Sequence, residues 1–327
     1  MCLFKAALNF LADGQLHSEK EISEFLSIQP RLVPETLQQL LEFGINLERE
    51  ERGYCILGGL ELLDEKLILN ELGVTQELLK QLEILDSIES TNTYLLEKVK
   101  TLKKTTAVFA ELQTAGRGQF NRVWISSRFA KNIALSILWY FPYKPNKLTG
   151  LSLAIGLSVV KALEEYGLKG IKLKWPNDIF YYGKKIAGVL IETRSSKSTL
   201  CPTVVGIGLN LYSPTTNIDA INQTITNIYA IQKRLPQRNR LAGLLLKHAL
   251  ATLFEFQTKG FPAFMEAWKT FDSLKDKYIR IQTGKGIREG VARGINSQGQ
   301  FCIEIEGKIH FFSSEEIRIR LNHSKNC

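Results

Sequence analysis

Several residues that could carry chemistry lie in short segments spread between residues 90 and 210. The segment QTAGRGQ at residues 113–119 places Arg117 between two glycines, directly after a predicted strand. Glycine lets backbone N–H groups approach an anion closely, and a guanidinium neutralises the charge of that anion. By itself the segment fits either an anion-binding loop or an ordinary tight turn.

A second segment, KLKWPND, begins at Lys172. Alternation along a strand puts Lys172 and Lys174 on one face. Pro176 ends the strand, so Asn177 and Asp178 follow at its end, where ligand groups gather in such sheets. A lysine, an amide and a carboxylate together suit a phosphate with its magnesium ion, although a surface turn that contains an aspartate has the same pattern.

Two further segments combine small residues with polar ones. In KKIAGVLIE, residues 184–192, Ala187 and Gly188 permit close backbone approach beside a lysine, but the pattern also describes a strand after a basic turn. In GIGLN, residues 206–210, two glycines could let a flat ring or a phosphate lie against a strand. This segment is not a G-x-G-x-x-G and precedes no obvious helix, which argues against a dinucleotide fingerprint. Walker loops, a Ser/His/Asp order and H-x-x-x-H pairs are absent from the sequence.

Composition places the chain among ordinary soluble globular proteins. It has 327 residues, of which 44% are hydrophobic and 23% charged. Apolar runs fall short of the roughly 18 residues that a membrane-spanning helix needs, and the N-terminal run is interpreted as a helix rather than a signal peptide. The five cysteines are far apart and form no C-x-x-C, which argues against a disulfide framework or a zinc site and favours a reducing cytoplasm.

Charge is unevenly distributed along the chain. The formal net charge is +9, but residues 1–64 hold five Lys/Arg against eleven Asp/Glu, a balance of −6 that leaves +15 on the remainder. A basic surface favours anionic partners such as nucleotides, nucleic acid or an acidic protein, although it also fits a solvated surface without a partner.

The hydrophobic pattern divides the chain into three regions. Residues 1–64 predict three helices and a hairpin, the outline of a winged helix-turn-helix, and Ser18 with Glu21 forms a capping box before the second helix. Residues 80–272 predict one mixed domain, and residues 273–323 a small β-barrel of short strands. The predicted central elements are strands over 106–112, 132–140, 171–174, 186–193 and 203–210 and helices over 148–166 and 239–259. The predicted C-terminal strands are 278–282, 290–295, 301–305 and 308–312.

Taken in order, these motifs resemble those of the biotin–protein ligases. The segments that carry the resemblance are Ser90-Thr91-Asn92, Gly116-Arg117-Gly118, Lys174–Asp178, Lys185–Gly188 and Gly206–Asn210. The resemblance covers nearly the whole chain and points to the bifunctional bacterial type with an N-terminal DNA-binding domain. It implies an α+β fold with a winged helix-turn-helix, a central mixed-sheet ligase domain like that of class II synthetases, and a C-terminal SH3-like β-barrel.

The resemblance also implies an activity and a set of site residues. Biotin and ATP would form biotinyl-5′-AMP, with Mg²⁺ as the metal, and biotin would then pass to a lysine of a biotin carboxyl carrier protein. The implied biotin site contains Ser90, Thr91, Asn92, Gln113, Gly116, Arg117, Gly118, Gln119, Lys185 and Gly188. The implied ATP site contains Arg117, Lys174, Asn177, Gly208 and Asn210, and Asn177 and Asp178 would serve Mg²⁺. The implied catalytic residues are Arg117, Lys174, Asp178 and Lys185.

Two residues depart from the family pattern. Gln119 stands where an arginine is expected in a loop that closes over the adenylate, which predicts faster leakage of biotinyl-AMP. Ile225 stands near the position of a tryptophan expected to stack on adenine, in a nucleotide-covering loop at about 212–225.

DNA binding by the N-terminal region is less well supported. The first turn of the predicted recognition helix holds Pro34 and Glu35, and the hairpin turn is acidic, so the region begins with a deficit of positive charge toward phosphates. Operator binding and a domain retained for stability or for influencing the ligase site are both open. Two rival functions are a biotin-sensing repressor with little ligase activity and a lipoate or octanoate ligase. A homodimer through the central domain is compatible with the resemblance.

Overall fold

The computed structural model describes residues 3–124, 129–194, 199–212, 224–284 and 286–321. Along the chain follow an N-terminal group of helices with a hairpin, a large domain that mixes helices and strands, and a C-terminal antiparallel sheet. Within these ranges, every helix is too short or too polar to cross a membrane.

The N-terminal region contains three helices and a two-stranded hairpin in the described residues. They are α1 Leu3–Leu11, α2 Glu19–Leu26, α3 Val33–Glu42, β1 Leu47–Glu50 and β2 Gly53–Ile56. The predicted capping box is confirmed, because the Ser18 hydroxyl accepts from the Glu21 N–H and the Glu21 carboxylate accepts from the Ser18 N–H. Pro34 lies in the first turn of α3, where its missing N–H costs no helical hydrogen bond.

The central domain is built, in the described ranges, on a seven-stranded mixed sheet. Its elements are α4 Glu65–Asn70, β3 Gln81–Ile88, α5 Thr91–Leu102, β4 Thr106–Gln113, β5 Asn132–Phe141, α6 Leu151–Glu165, β6 Ile171–Lys174, β7 Asp178–Tyr181, β8 Lys184–Thr193, β9 Cys201–Asn210, α7 Ile228–Gln232 and α8 Arg238–Lys259. The strand order is β3-β4-β5-β9-β8-β7-β6, with β3 and β4 parallel and the other neighbours antiparallel. Helices α6 and α8 cover one face, and α5 packs on the other against Val108, Leu138 and Val204.

The predicted central strands are confirmed to within two residues at each end, and the two long helices to within three. The structure adds β3 and β7 to the prediction. Nearly every residue of β3 is half-buried, and its sequence does not alternate regularly between apolar and polar residues along its full length. The sequence therefore gives no clear signal for this strand. β7 has four residues and starts immediately after the turn at Asn177, which is too little sequence for a pattern to emerge.

The C-terminal region forms a five-stranded antiparallel sheet in the described residues. Helix α9 Met265–Phe271 precedes this sheet, whose strands are β10 Tyr278–Thr283, β11 Gly286–Ile295, β12 Phe301–Ile305, β13 Lys308–Phe312 and β14 Ile317–Leu321. The strand order is β13-β12-β11-β10-β14, in which β14 is the strand that the sequence did not predict.

The C-terminal sheet packs against the end of β6. The Trp175 ring lies 5.3 Å from the ring of Phe301, centre to centre. The Trp175 indole N–H donates to the Gly299 carbonyl at 3.1 Å, and Trp175 is almost fully buried. The strand end that carries Lys174 is therefore held from the side of the C-terminal region.

The N-terminal region also packs on the central domain. Phe129 lies 5.8 Å from the Phe4 ring and 6.2 Å from the Phe43 ring, both measured between centres. Lys5 forms an ion pair with Asp86 at 2.9 Å. The apolar core of the N-terminal helices thus includes a residue of the central domain.

A polar network that includes a buried ion pair fixes the segment that links these two regions. The Glu61 carboxylate accepts from the backbone N–H groups of Arg238 and Asn239, at 2.6 and 3.0 Å, at the start of α8. The Arg238 guanidinium is 3% exposed and pairs with Glu111 of β4, whose side chain is 4% exposed. The segment between the two regions is therefore held against the central sheet through Arg238 and Glu111 of β4.

Candidate active site

The predicted biotin-site residues Thr91, Asn92 and Gln113 meet in one hydrogen-bond network at the start of α5. Thr91 donates from its N–H and its hydroxyl to Gln113 Oε1, at 2.9 and 3.0 Å. Ser136 Oγ of β5 lies 2.7 Å from Thr91 Oγ1 and 2.6 Å from Asn92 Oδ1. Ser90 caps the helix, and all five side chains are buried. The network makes this corner of the sheet a rigid wall.

The loop after β4 closes on itself through two backbone hydrogen bonds. The Gly118 N–H donates to the Arg122 carbonyl, and the Trp124 N–H donates to the Gly116 carbonyl, both at 2.8 Å. A Cβ at Gly116 would overlap the Trp124 carbonyl, so the close return of the chain requires glycine there. Gln119 lies in the outer, half-exposed turn. The Gly-Arg-Gly segment is thus part of a tight loop, and the return of the chain places Trp124 against the sheet.

Gly188 of β8 and Gly208 of β9 are register partners and form a flat platform. The Trp124 indole lies on this platform, because a Cβ at Gly208 would overlap the ring and a Cβ at Gly188 would lie 3.4 Å from it. The Lys185 ammonium lies 5.8 Å from the ring centre. Trp124 Nε1 is buried and has no hydrogen-bond partner among the described residues. In this conformation the indole itself covers the platform.

Lys174, Asp178 and Lys185 form the charged centre of the site. Lys185 Nζ lies 2.5 Å from Asp178 Oδ1, and Lys174 and Asp178 are register partners of β6 and β7. Burial lowers the pKa of Lys174 below its usual 10.5, Lys185 and Arg122 lower it further, and Asp178 opposes the shift. Lys174 is thus a partly desolvated cation with two further cations near it, an environment that would favour a bound anion.

The Lys185 backbone is held by the chain that follows the predicted nucleotide-covering loop. Its N–H donates to the Thr224 carbonyl at 2.9 Å, and its carbonyl accepts from the Thr226 N–H at 2.8 Å. Ile225, where the family pattern predicts a tryptophan, lies between these two bonds and is half-buried. Most of the predicted loop, residues 213–223, lies outside the described residues.

Asn177 and Asn210 each commit their amide nitrogen to the backbone. Asn177 Nδ2 donates to the Val189 carbonyl at 2.8 Å, and Asn210 Nδ2 donates to the Thr226 carbonyl at 3.2 Å. These bonds fix the side chains beside the charged centre and orient their amide oxygens, which are the atoms that could meet a ligand. The roles predicted for Asn177 and Asn210 stay predictions.

Arg117 has different partners from the other predicted catalytic residues. Its guanidinium donates to Glu192 Oε1 at 2.5 Å and to Thr93 Oγ1 at 2.9 Å. Lys174 instead has Arg122 as its nearby guanidinium. The structure therefore brings Lys174, Asp178 and Lys185 together and directs Arg117 to the start of α5.

A sequence profile of the Biotin/lipoate A/B protein ligase family matches residues 84–210. The chain is similar to the bifunctional ligase/repressor BirA of Salmonella typhimurium, with 31% identity over 314 residues that span 96% of each protein. The chain belongs to the biotin–protein ligase family. This membership confirms the resemblance drawn from the motifs.

Two further members of the biotin–protein ligase family cover most of the chain. The biotin–[acetyl-CoA-carboxylase] ligase of Mycobacterium tuberculosis is 29% identical over 262 residues, 78% of this chain and 95% of that protein. The structure of biotin protein ligase from Aquifex aeolicus in complex with biotin and ATP is similar over 74% of this chain and 99% of that one, with a TM-score of 0.62 and 30% identity.

Four residues of the site were missing from the sequence prediction: Arg122, Trp124, Ser136 and Glu192. The sequence alone does not indicate a role for Trp124, because its contact with Gly208 forms only when the loop after β4 folds back on itself. Ser136 and Glu192 lie within apolar strands, and a lone polar residue in such a strand is a usable signal because burial demands a partner for it.

The residues fit Mg²⁺ only together with a bound phosphate. Asp178 supplies a carboxylate, but it is already paired with Lys185. Protein sites of this ion commonly combine one or two carboxylates with substrate phosphates. Asp178 and the Asn177 amide oxygen would therefore complement phosphates that hold the ion. In the described part of the chain, the group of three side chains close enough to ligate a metal lies elsewhere, in the N-terminal hairpin.

Proposed function

We propose that this chain is a biotin–[acetyl-CoA-carboxylase] ligase. It joins biotin to ATP as biotinyl-5′-AMP with release of pyrophosphate, and then transfers biotin to a lysine of a biotin carboxyl carrier protein. The observation that carries this proposal is the charged centre of Lys174, Asp178 and Lys185 beside the glycine platform of Gly188 and Gly208. Relatives of the same family are named for this activity.

In the first step, a biotin carboxylate oxygen attacks the α-phosphorus of ATP, and the bond to the leaving pyrophosphate breaks. The biotin carboxylate and the α-phosphate of ATP, both anionic, must therefore approach each other in a pocket partly shielded from water, where their repulsion is large. Lys174 and Lys185 offset that repulsion and stabilise the charge that grows on the phosphate oxygens. The platform and the buried wall around Thr91 hold the reactants together, which removes much of the entropic cost of their meeting.

In the second step, the neutral amine of the acceptor lysine attacks the acyl carbon, and AMP leaves. The acceptor has a reference pKa of about 10.4, so it must lose a proton first. Asp178 is the carboxylate of the charged centre, and it is placed to orient the incoming amine or to accept its proton. The Mg²⁺ ion, when bound with ATP, supplies further positive charge to the phosphates.

The direct test is a reconstituted reaction with purified protein, ATP, Mg²⁺, biotin and an apo biotin carboxyl carrier domain. We expect biotin-dependent exchange of labelled pyrophosphate into ATP and an avidin-positive carrier band that depends on ATP. Omitting the carrier should abolish the band and leave the exchange. Absence of exchange with an intact, folded protein would contradict the proposal.

Two other acids are the natural competitors for the site. Lipoate and octanoate ligases share the family profile, which covers both chemistries. The relatives that match over most of the chain are biotin ligases, which favours biotin. Competition between biotin and lipoate in the pyrophosphate exchange assay distinguishes the two, since excess lipoate should leave biotin-dependent exchange unchanged.

The terminal regions fit supporting roles in the same protein. We propose that residues 1–64 form a winged helix-turn-helix and residues 273–323 an SH3-like barrel, which the three helices with a hairpin and the five short antiparallel strands support. The Salmonella relative is named a repressor, but the acidic balance of the N-terminal region argues against strong operator binding here. We also propose a cytoplasmic location and a homodimer through the central domain, the latter to be tested by sedimentation with and without biotin and ATP.

A further inference from the structure

Glu192 joins three parts of the active site through its two carboxylate oxygens. Oε1 accepts from Arg117 Nη2 at 2.5 Å, and Oε2 accepts from Asn92 Nδ2 at 2.9 Å. Glu192 belongs to β8, Asn92 to the first turn of α5, and Arg117 to the glycine loop. Its side chain is only 20% exposed, so the carboxylate is largely committed to these two partners.

Arg117 also joins separate elements of the active site. Its second nitrogen, Nη1, donates to Thr93 Oγ1 at 2.9 Å, so the guanidinium bridges β8 and α5. A planar guanidinium with several donors is well suited to such a fixed fork, whereas a lysine makes a single-point contact. The positive charge of Arg117 is balanced by Glu192, while Lys185 pairs with Asp178, the register partner of Lys174.

We propose that Glu192 is a positioning residue and that Arg117 anchors the glycine loop through it, rather than binding an anion of the reaction. The pair ties the Gly116–Gly118 turn to the wall that contains Asn92, and thereby sets the position of Trp124 over the platform. The cations that meet the reacting phosphate are then Lys174 and Lys185, with Arg122 near them. This inference rests on the proposed biotin ligase function.

Two substitutions separate an anchoring role from an anion-binding role. Glu192→Gln frees the Arg117 charge, whereas Arg117→Gln removes it; the glutamine at 192 can still accept from Asn92. If the pair is an anchor, both variants lose the same contact and should raise the KM for biotin by about tenfold, with kcat of pyrophosphate exchange changed less than threefold. The double variant should be no worse than either single variant, since the contact is lost only once.

An anion-binding Arg117 predicts a different pattern. Glu192→Gln would then leave biotin KM unchanged or lower the KM for ATP, while Arg117→Gln would lower kcat tenfold or more. That divergence overturns the proposal. Arg117→Lys is a second variant that keeps the charge: an anchor requires it to raise the biotin KM, and an unchanged KM counts against the anchor even if Glu192→Gln does not fold.

Glu165→Gln provides the matched control. Glu165 also pairs with cationic side chains, Lys247 and His248, but it lies at the end of α6. We expect its kinetic constants to stay within twofold of the wild-type protein. Wild-type protein that fails to exchange pyrophosphate would reject the ligase function itself, whereas an active wild type with divergent variants rejects only the role of the Glu192–Arg117 pair.

Discussion

At the scale of single residues, the charged centre is marked by the lowered pKa of Lys174. Burial, together with the charges of Lys185 and Arg122, makes the proton of Lys174 easier to lose than that of a free lysine. We expect a bound anion to oppose this effect, because an anion near Lys174 favours its charged form.

The lowered pKa of Lys174 predicts an alkaline limit to adenylate formation. Pyrophosphate exchange should fall at a pH below the ordinary lysine value of 10.5, because Lys174 loses its charge there. Since the folded pKa lies below the unfolded one, the same group makes the fold more stable as pH rises through that interval. Rate profiles of the wild type, of Lys174→Arg and of Lys172→Met as an exposed control test this. Lys174→Arg should move the limit upward, and an unmoved limit would assign it to another group.

Asp178 provides a second prediction at this scale. Asp178→Asn should slow transfer to the carrier more than it slows adenylate formation, because the acceptor amine must be oriented or deprotonated in the second step alone. Single-turnover transfer from preformed biotinyl-AMP and pyrophosphate exchange measure the two steps separately. Equal losses in both steps, or no loss, would reject the assignment.

At the scale of elements, the site depends on how a loop and two strands approach each other. The platform exists because glycine occurs at facing positions of β8 and β9, and the loop can return only because Gly116 lacks a side chain. The glycines and lysines were visible in the sequence as short motifs, and the strands that carry them follow from their apolar runs. The partnership of Arg117 with Glu192 could not be predicted, because it joins residues 75 positions apart through a fold-specific approach.

Gly208→Ala tests the platform directly. The added Cβ would overlap the Trp124 indole, so the ring should be displaced, biotin KM should rise by at least tenfold and tryptophan emission should change. The matched control is Gly284→Ala, whose Cβ would meet open space. Unchanged kinetics in Gly208→Ala would show that the contact between Trp124 and the platform has no part in binding.

At the scale of the whole molecule, three regions meet at the central sheet rather than being joined by free linkers. Glu61, Glu111 and Arg238 tie the chain that leaves the N-terminal region to the sheet, and Trp175 ties the active-site strand to the C-terminal region. Composition and periodicity predict three regions from the sequence alone. They do not reveal these ties, because each is a contact between residues more than a hundred positions apart.

Arg238→Met should destabilise the protein by about 3–5 kcal/mol, because it leaves the Glu111 carboxylate buried without its partner. Urea unfolding at neutral pH measures the change in the free energy of unfolding. Arg240→Met, on an exposed turn of the same helix, should change that free energy by less than about 0.5 kcal/mol. A loss below about 1 kcal/mol for Arg238→Met would mean that the Glu111 carboxylate finds water or another partner.

The charge of the N-terminal region gives a prediction about DNA binding. Phosphate neutralisation supplies much of the affinity of proteins for DNA, and residues 1–64 carry −6. In a mobility-shift assay at physiological salt with DNA from its own promoter, ATP and biotin, we expect no sharp band. A band that specific DNA competes away and unrelated DNA does not would restore the operator-binding role.

The contact between Trp175 and Phe301 has a practical consequence for anyone who shortens this chain. A truncated enzyme that ends near residue 272 would retain all of its reactive side chains yet lose the surface against which Trp175 rests. Lys174, which precedes that tryptophan, would then lose its fixed position. Removal of the C-terminal region should therefore strongly reduce the rate of pyrophosphate exchange, although no reacting side chain is removed.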